Sequence, residues 1–183
     1  MRIIAGKYRN KFIHEPHNEK TRPTASKTRE AVFNIIDNYG IKKDKIFVDL
    51  FAGSGAVGFE ALSRGFNKVI WIEIDKKNLA QIHRTIDEFK LPEPDYEIYN
   101  TDALIALKKL AKRKDELAII FVDPPYKLGL VQKTIDLMIK LSILSALPVM
   151  IEKSVEEKLE LPEGLDVKRY DYGDTELVVI GVS

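Results

Sequence analysis

The chain has 183 residues, 45% hydrophobic and 31% charged, which suits one globular domain with a sizeable core and argues against long disorder. It has no cysteine, which excludes a disulfide scaffold, Cys-ligated zinc, iron–sulfur clusters and thiol catalysis. The net charge of +1 hides a split: residues 1–45 hold eleven Lys/Arg against five Asp/Glu, residues 46–183 eighteen against twenty-three. A basic arm on a mildly acidic body is the footprint of a polyanion binder, and equally that of a solvated surface.

Residues 1–14 read as a short β-hairpin, with Ile3 and Ile4 on one strand, Phe12 and Ile13 on the other, and Lys7-Tyr8-Arg9-Asn10 at the turn. Lys7 and Arg9 arrive before any long apolar run, so no signal peptide is expected, and no stretch nears the ~18 apolar residues of a membrane span. A polar loop from His14 to Arg22 follows. Thr24 is then placed to cap a helix whose apolar face is Ala25, Val32, Phe33, Ile36 and Tyr39, and which Gly40 ends. The expected organisation is a hairpin and loop over 1–22 and a catalytic body over 23–183.

From Lys45 the rhythm alternates. Strands are expected at Ile46–Leu50, Val69–Ile74, Tyr96–Asn100, Ala118–Val122 and Val149–Glu152. Helices are expected near Val57–Arg64, Lys77–Phe89, Ala103–Lys112 and Leu130–Leu144. Uniformly apolar strands fit a parallel sheet buried on both faces. The last two strands, Asp166–Tyr172 and Glu176–Val182, are separated by Gly173-Asp174-Thr175, too short for a crossover helix, so they pair antiparallel. The expected fold class is α/β: a doubly wound, mostly parallel seven-stranded sheet ending in an antiparallel hairpin.

The first strand runs into Gly53-Ser54-Gly55-Ala56-Val57-Gly58, a G-x-G-x-x-G loop opening a helix, where backbone can approach a ligand closely. A tight packed turn has the same pattern. Glu73 ends the second strand, where a carboxylate can accept both ribose hydroxyls of a nucleoside. Asp49 stands at the mouth of the first strand, where it would repel a pyrophosphate and attract an ammonium or sulfonium. Together they shift the reading from NAD to S-adenosylmethionine. Asp102 follows the third strand, placed to accept from an adenine amino group, to cap the next helix, or both.

The fourth strand ends in Asp123-Pro124-Pro125-Tyr126. Two prolines fix φ and remove two N–H donors, leaving rigid carbonyl acceptors. A carboxylate and the Pro124 carbonyl aimed at one spot can trap an –NH2 group and draw its hydrogens out of the ring plane, turning the nitrogen lone pair toward a methyl donor. Tyr126 offers a ring for base stacking. An ordinary X-Pro-Pro turn is the bland alternative.

Asp-x-x-x-Gly-x-Gly followed by Asp-Pro-Pro-Tyr resembles the Rossmann-type S-adenosylmethionine-dependent methyltransferases of amino groups. The segments Arg2-Ile3-Ile4-Ala5-Gly6-Lys7-Tyr8-Arg9, Arg22-Pro23-Thr24, Arg29-Glu30-Ala31-Val32-Phe33-Asn34 and Asp49 through Gly65 are similar to the bacterial 16S ribosomal RNA guanine-N2 methyltransferases. The resemblance spans nearly the whole chain. Many relatives carry glycine where this chain has Asn10, a residue that tolerates positive φ.

The resemblance implies a class I methyltransferase sheet and methyl transfer to the N2 of a guanine in 16S rRNA, free or in an assembling small subunit. It implies catalytic roles for Asp123, Pro124, Pro125 and Tyr126. It implies cofactor contacts at Arg22, Thr24, Asp49, Gly53, Ser54, Gly55, Glu73 and Asp102, and RNA contacts at Arg2, Lys7, Arg9, Lys11 and Arg29. A cytoplasmic monomer without metal or membrane partner is expected. His14 and His17 flank Pro16 with no third ligand nearby, which makes a poor metal site. The rivals are a DNA adenine-N6 methyltransferase, for which no separate base-reading region is left over, a non-catalytic RNA-binding protein, and an NAD dehydrogenase, disfavoured by Asp49.

Overall fold

The computed structural model describes residues 1–15, 23–125 and 129–181. In chain order the elements are α1 (Pro23–Asn38), β1 (Ile46–Asp49), α2 (Ala56–Ser63), β2 (Lys68–Ile72), α3 (Lys76–Phe89), β3 (Tyr96–Tyr99), α4 (Ala103–Leu110), β4 (Leu117–Val122), α5 (Leu130–Lys140), β5 (Val149–Ser154), β6 (Val167–Tyr172) and β7 (Thr175–Ile180). The helix expected from Thr24 begins at Pro23, so Thr24 lies inside the first turn; proline suits that position because its missing N–H would have had no intrahelical partner.

The strands form one seven-stranded sheet in the order β3-β2-β1-β4-β5-β7-β6. β3, β2, β1, β4 and β5 run parallel, and β7 pairs antiparallel with both β5 and β6. Every residue of β1 and β4 is buried, as strands covered on both faces must be. One core, on the side of α1 to α3, gathers Phe33, Phe47, Phe59, Trp71, Ile82 and Phe89; the other, under α4 and α5, gathers Val48, Ile70, Leu107, Ile120, Val131 and Ile135. In α3 the buried Leu79, Ile82, Ile86 and Phe89 repeat at helical spacing, and the Asp75 side chain caps the helix by accepting from the N–H groups of Lys77 and Asn78.

The N-terminal hairpin forms, with Arg2 and Phe12 bridged antiparallel and Asn10 at φ 68° in the turn. It is not a free arm. Ile3, Tyr8 and Ile13 are buried in the core of the α1–α3 side. The N–H groups of Ile4 and Ala5 donate to the Glu60 carboxylate at 2.9 and 3.0 Å, and that of Tyr8 donates to Ser63 Oγ at 2.9 Å. Gly6, at φ 83°, presses so closely on α2 that a Cβ there would lie 1.8 Å from the Ser63 carbonyl oxygen.

Candidate active site

The parallel strands deliver their carboxyl ends to one edge of the sheet, where an open α/β fold binds its ligands. A cavity of about 490 Å³ lies there, within the size range of small-molecule sites. Its wall contains Asp49, Gly53 and Ser54 after β1, Glu73 after β2, Asp102 after β3, Asp123, Pro124 and Pro125 after β4, and Glu152 in β5.

The glycine loop divides its labour. Gly53, at φ 54°, has open space where a Cβ would stand, which leaves its backbone free for close approach by a ligand. Gly55 and Gly58 serve packing instead. A Cβ on Gly58 would fall 2.1 Å from Trp71 Nε1, and one on Gly55 would meet Phe59, Ile82 and Trp71 at 3.0–3.1 Å. Gly55 also holds φ 77° at the start of α2, and its carbonyl accepts from the Trp71 indole at 3.2 Å. So Gly55, expected to touch a cofactor, stands outside the cavity wall, and Trp71 braces the loop from β2.

Glu73 steadies the same loop: one carboxylate oxygen accepts from Gly53 N at 2.7 Å, the other from Asp75 N at 2.7 Å. Asp102 caps α4 through a single oxygen, Oδ1, which accepts from the N–H groups of Leu104 and Ile105 at 2.8 and 3.3 Å. The capping role is therefore real, and Oδ2 is left over on a residue of the cavity wall.

The acids here are poorly compensated. Asp49 is 2% exposed and accepts one N–H, from Gly58 at 3.1 Å. Burial, only partly opposed by that bond and reinforced by Glu73, pushes its carboxyl up to about 7. Burial pushes Glu152 up to about 7 as well. Asp123 is raised well above the ordinary carboxylate range, first by burial, then by Glu152 and Asp49. Among the described residues neither Asp123 nor Glu152 makes a side-chain hydrogen bond or ion pair. A concave site lined by desolvated, unpaired carboxylates favours a cationic ligand.

One expectation needs revision, and several others concern residues outside those described. Arg29 is not an exposed phosphate contact: it is 3% exposed, ion-paired with Glu60 at 3.5 Å, and donates to the Arg2 carbonyl at 2.6 Å and to Met1 Sδ. Arg22, Tyr126 and His17 lie outside the described residues, as does the side chain of Thr24. By contrast Arg2, Lys7, Arg9 and Lys11 are all exposed on the hairpin. Among the described residues no cluster of acids and histidines suits a metal ion, and no helix is long and apolar enough to cross a membrane. Glu152 was missed at the sequence level. The usable signal was its place directly after the apolar run Val149-Met150-Ile151, as Asp49, Glu73 and Asp123 follow theirs, although β5 continues to Ser154.

This sheet, with its glycine loop and carboxylate-lined edge, defines a Rossmann-like class I methyltransferase fold. The chain belongs to the family described as conserved hypothetical protein 95, whose model matches residues 1–181. It is 33% identical over 163 residues to the "Putative rRNA methyltransferase YlbH" of Bacillus subtilis (strain 168), covering 89% of this chain and 86% of that one. It is 39% identical over 140 residues to the ribosomal RNA small subunit methyltransferase D of Buchnera aphidicola subsp. Baizongia pistaciae, covering 76% and 68%. Among solved structures, "Putative methyltransferase yhhF from Escherichia coli" superposes with a TM-score of 0.74 at 27% identity, over 98% of this chain and 96% of that one.

Proposed function

We propose that this protein transfers a methyl group from S-adenosylmethionine to the exocyclic N2 amine of a guanine in small-subunit ribosomal RNA. The carrying observation is that one cavity joins the Asp49–Glu73 wall to the Asp123-Pro124-Pro125 corner. Its relatives named as ribosomal RNA methyltransferases, and the exposed cations of the hairpin, support RNA as the substrate.

The residues fit the cofactor. Asp49 and Glu73 offer carboxylates to its cationic amino-acid end and its ribose, Gly53 offers open backbone, and Asp102 keeps an oxygen for the adenine amine. When bound, S-adenosylmethionine supplies an electrophilic methyl on a sulfonium. The chain's own part is positioning. The Asp123 carboxylate accepts one hydrogen of the target amine and takes the proton the nitrogen sheds, and the Pro124 carbonyl accepts the other hydrogen. Arg2, Lys7, Arg9 and Lys11 hold RNA phosphates.

The test is to incubate the protein with methyl-labelled cofactor and unmodified small-subunit RNA, then digest to nucleosides. Label in N2-methylguanosine at one position is expected. Label only in N6-methyladenosine, or in DNA supplied in its place, would overturn the reading.

A further inference from the structure

Glu152 has no part in the chemistry above, yet it occupies a telling position. β4 and β5 pair in parallel with Val122 opposite Ile151. Asp123 and Glu152 are the next residues on each strand, so the two carboxylates stand side by side at the cavity. Glu152 lies inside β5, half-buried directly after the apolar run Val149-Met150-Ile151, where a carboxylate withdrawn from bulk water is stabilised by a donor. Among the described residues Glu152 has no hydrogen bond and no ion pair, whereas its neighbour Lys153 is fully engaged by Glu176 and by the carbonyls of Ser154 and Glu157. Its partner is therefore sought in what enters the cavity.

A guanine presented to Asp123 through its N2 amine brings a further donor on the same edge, N1–H, directly beside that amine. We propose that Glu152 is the specificity residue that reads the target base as guanine by accepting its N1–H. This rests on the guanine-N2 reading. Three donors on the base then meet three acceptors on the protein: Asp123 and the Pro124 carbonyl take the two amine hydrogens, and Glu152 takes N1–H. Adenine and 2-aminopurine carry a lone pair at N1, and a carboxylate facing it leaves two acceptors opposed in a desolvated site. A site built to accept from a substrate N–H rejects analogues lacking it far more strongly than shape alone could.

The test uses small-subunit RNA, ligated around a synthetic segment, with either guanine or 2-aminopurine at the mapped target position. 2-Aminopurine keeps the N2 amine and lacks N1–H. Wild-type protein is expected to prefer guanine by about 10²-fold or more in kcat/KM. Glu152→Ala should lose activity on guanine and little on 2-aminopurine, so the preference collapses to a few-fold while calorimetry shows cofactor affinity retained. Glu152→Gln should restore guanine, because its amide oxygen accepts N1–H, and should gain on 2-aminopurine, because its amide N–H donates to N1. Equal loss on both bases in the Ala variant, with no gain on 2-aminopurine in the Gln variant, would show a merely structural role and overturn the proposal. An unchanged guanine preference in both variants would overturn it too. Failure of the parent reading looks different: wild-type protein would then label no guanine N2 in the natural RNA.

Discussion

Two regions of this protein draw carboxylates out of bulk water, and they treat them in opposite ways. Glu60 is completely buried beneath the N-terminal hairpin, but its oxygens accept from the Ile4 and Ala5 N–H groups and face Arg64 at 2.8 Å and Arg29 at 3.5 Å. At the sheet edge Asp49 has one N–H, and Asp123 and Glu152 have no partner among the described residues. The lesson is that burial alone does not mark a site. A buried acid whose donors are supplied by the fold holds the fold together; one whose donors are missing is kept for a ligand.

The sharpest way to break this contrast is to truncate one acid from each region. Glu60→Ala strands Arg29 as a buried charge and unpins the hairpin, and should cost about 3–5 kcal/mol in urea denaturation. Asp49→Asn should leave the free protein as stable as wild type or more so, since it removes a desolvated charge. Equal losses in the two variants would erase the distinction. On the functional side, Asp123→Ala should lower the methylation rate by about 10²-fold or more, by analogy with the loss of one preorganised polar group, with cofactor affinity nearly unchanged. Glu73→Ala should weaken cofactor binding by about 1–3 kcal/mol in calorimetry, because both the ribose acceptor and the brace on Gly53 N are lost. The smallest effect belongs to the surface. Replacing Lys7, Arg9 and Lys11 together with Ala should flatten the log-affinity against log-salt slope for RNA by roughly two units, at about 0.7 per single-strand phosphate contact. An unchanged slope would move the RNA to another face.

The alternating body was legible because buried strands and one-faced helices leave different periods in the sequence. Boundaries drifted where tertiary contacts intervened. α4 gives way to a 3₁₀ stretch where Arg113 leaves helical geometry at φ −118° and reaches Glu97 and Glu116. α5 stops at Lys140 rather than Leu144, and Ser142 at φ 54° turns the chain there. That Asp49, Gly53, Ser54, Glu73, Asp102 and the Asp123-Pro124-Pro125 corner share one cavity wall follows from their places at or just after the carboxyl ends of parallel strands. Arg29 was misplaced because a charge count cannot tell an inward guanidinium from an outward one; its partner Glu60 is remote in sequence. Gly55 is ambiguous from sequence because packing against Trp71 and approach to a ligand require glycine equally, and the structure places it against Phe59, Ile82 and Trp71.

The carboxylates of the cavity also set a pH dependence whose sign is fixed. Burial pushes the Asp49 and Glu152 carboxyls up to about 7, so the folded state should bind more protons than the unfolded chain between roughly pH 4 and 7. The free protein should therefore lose thermal stability as pH rises through that window. A cationic ligand beside Asp49 reverses the cause there by favouring its ionised form. The decisive measurement is calorimetric titration of S-adenosylmethionine into the protein near pH ~6.5, in buffers of different ionisation enthalpy, beside S-adenosylhomocysteine, which lacks the sulfonium charge. The account predicts net proton release on binding, greater for S-adenosylmethionine, with affinity rising toward pH 7. Proton uptake, or no proton exchange with either ligand, would contradict it.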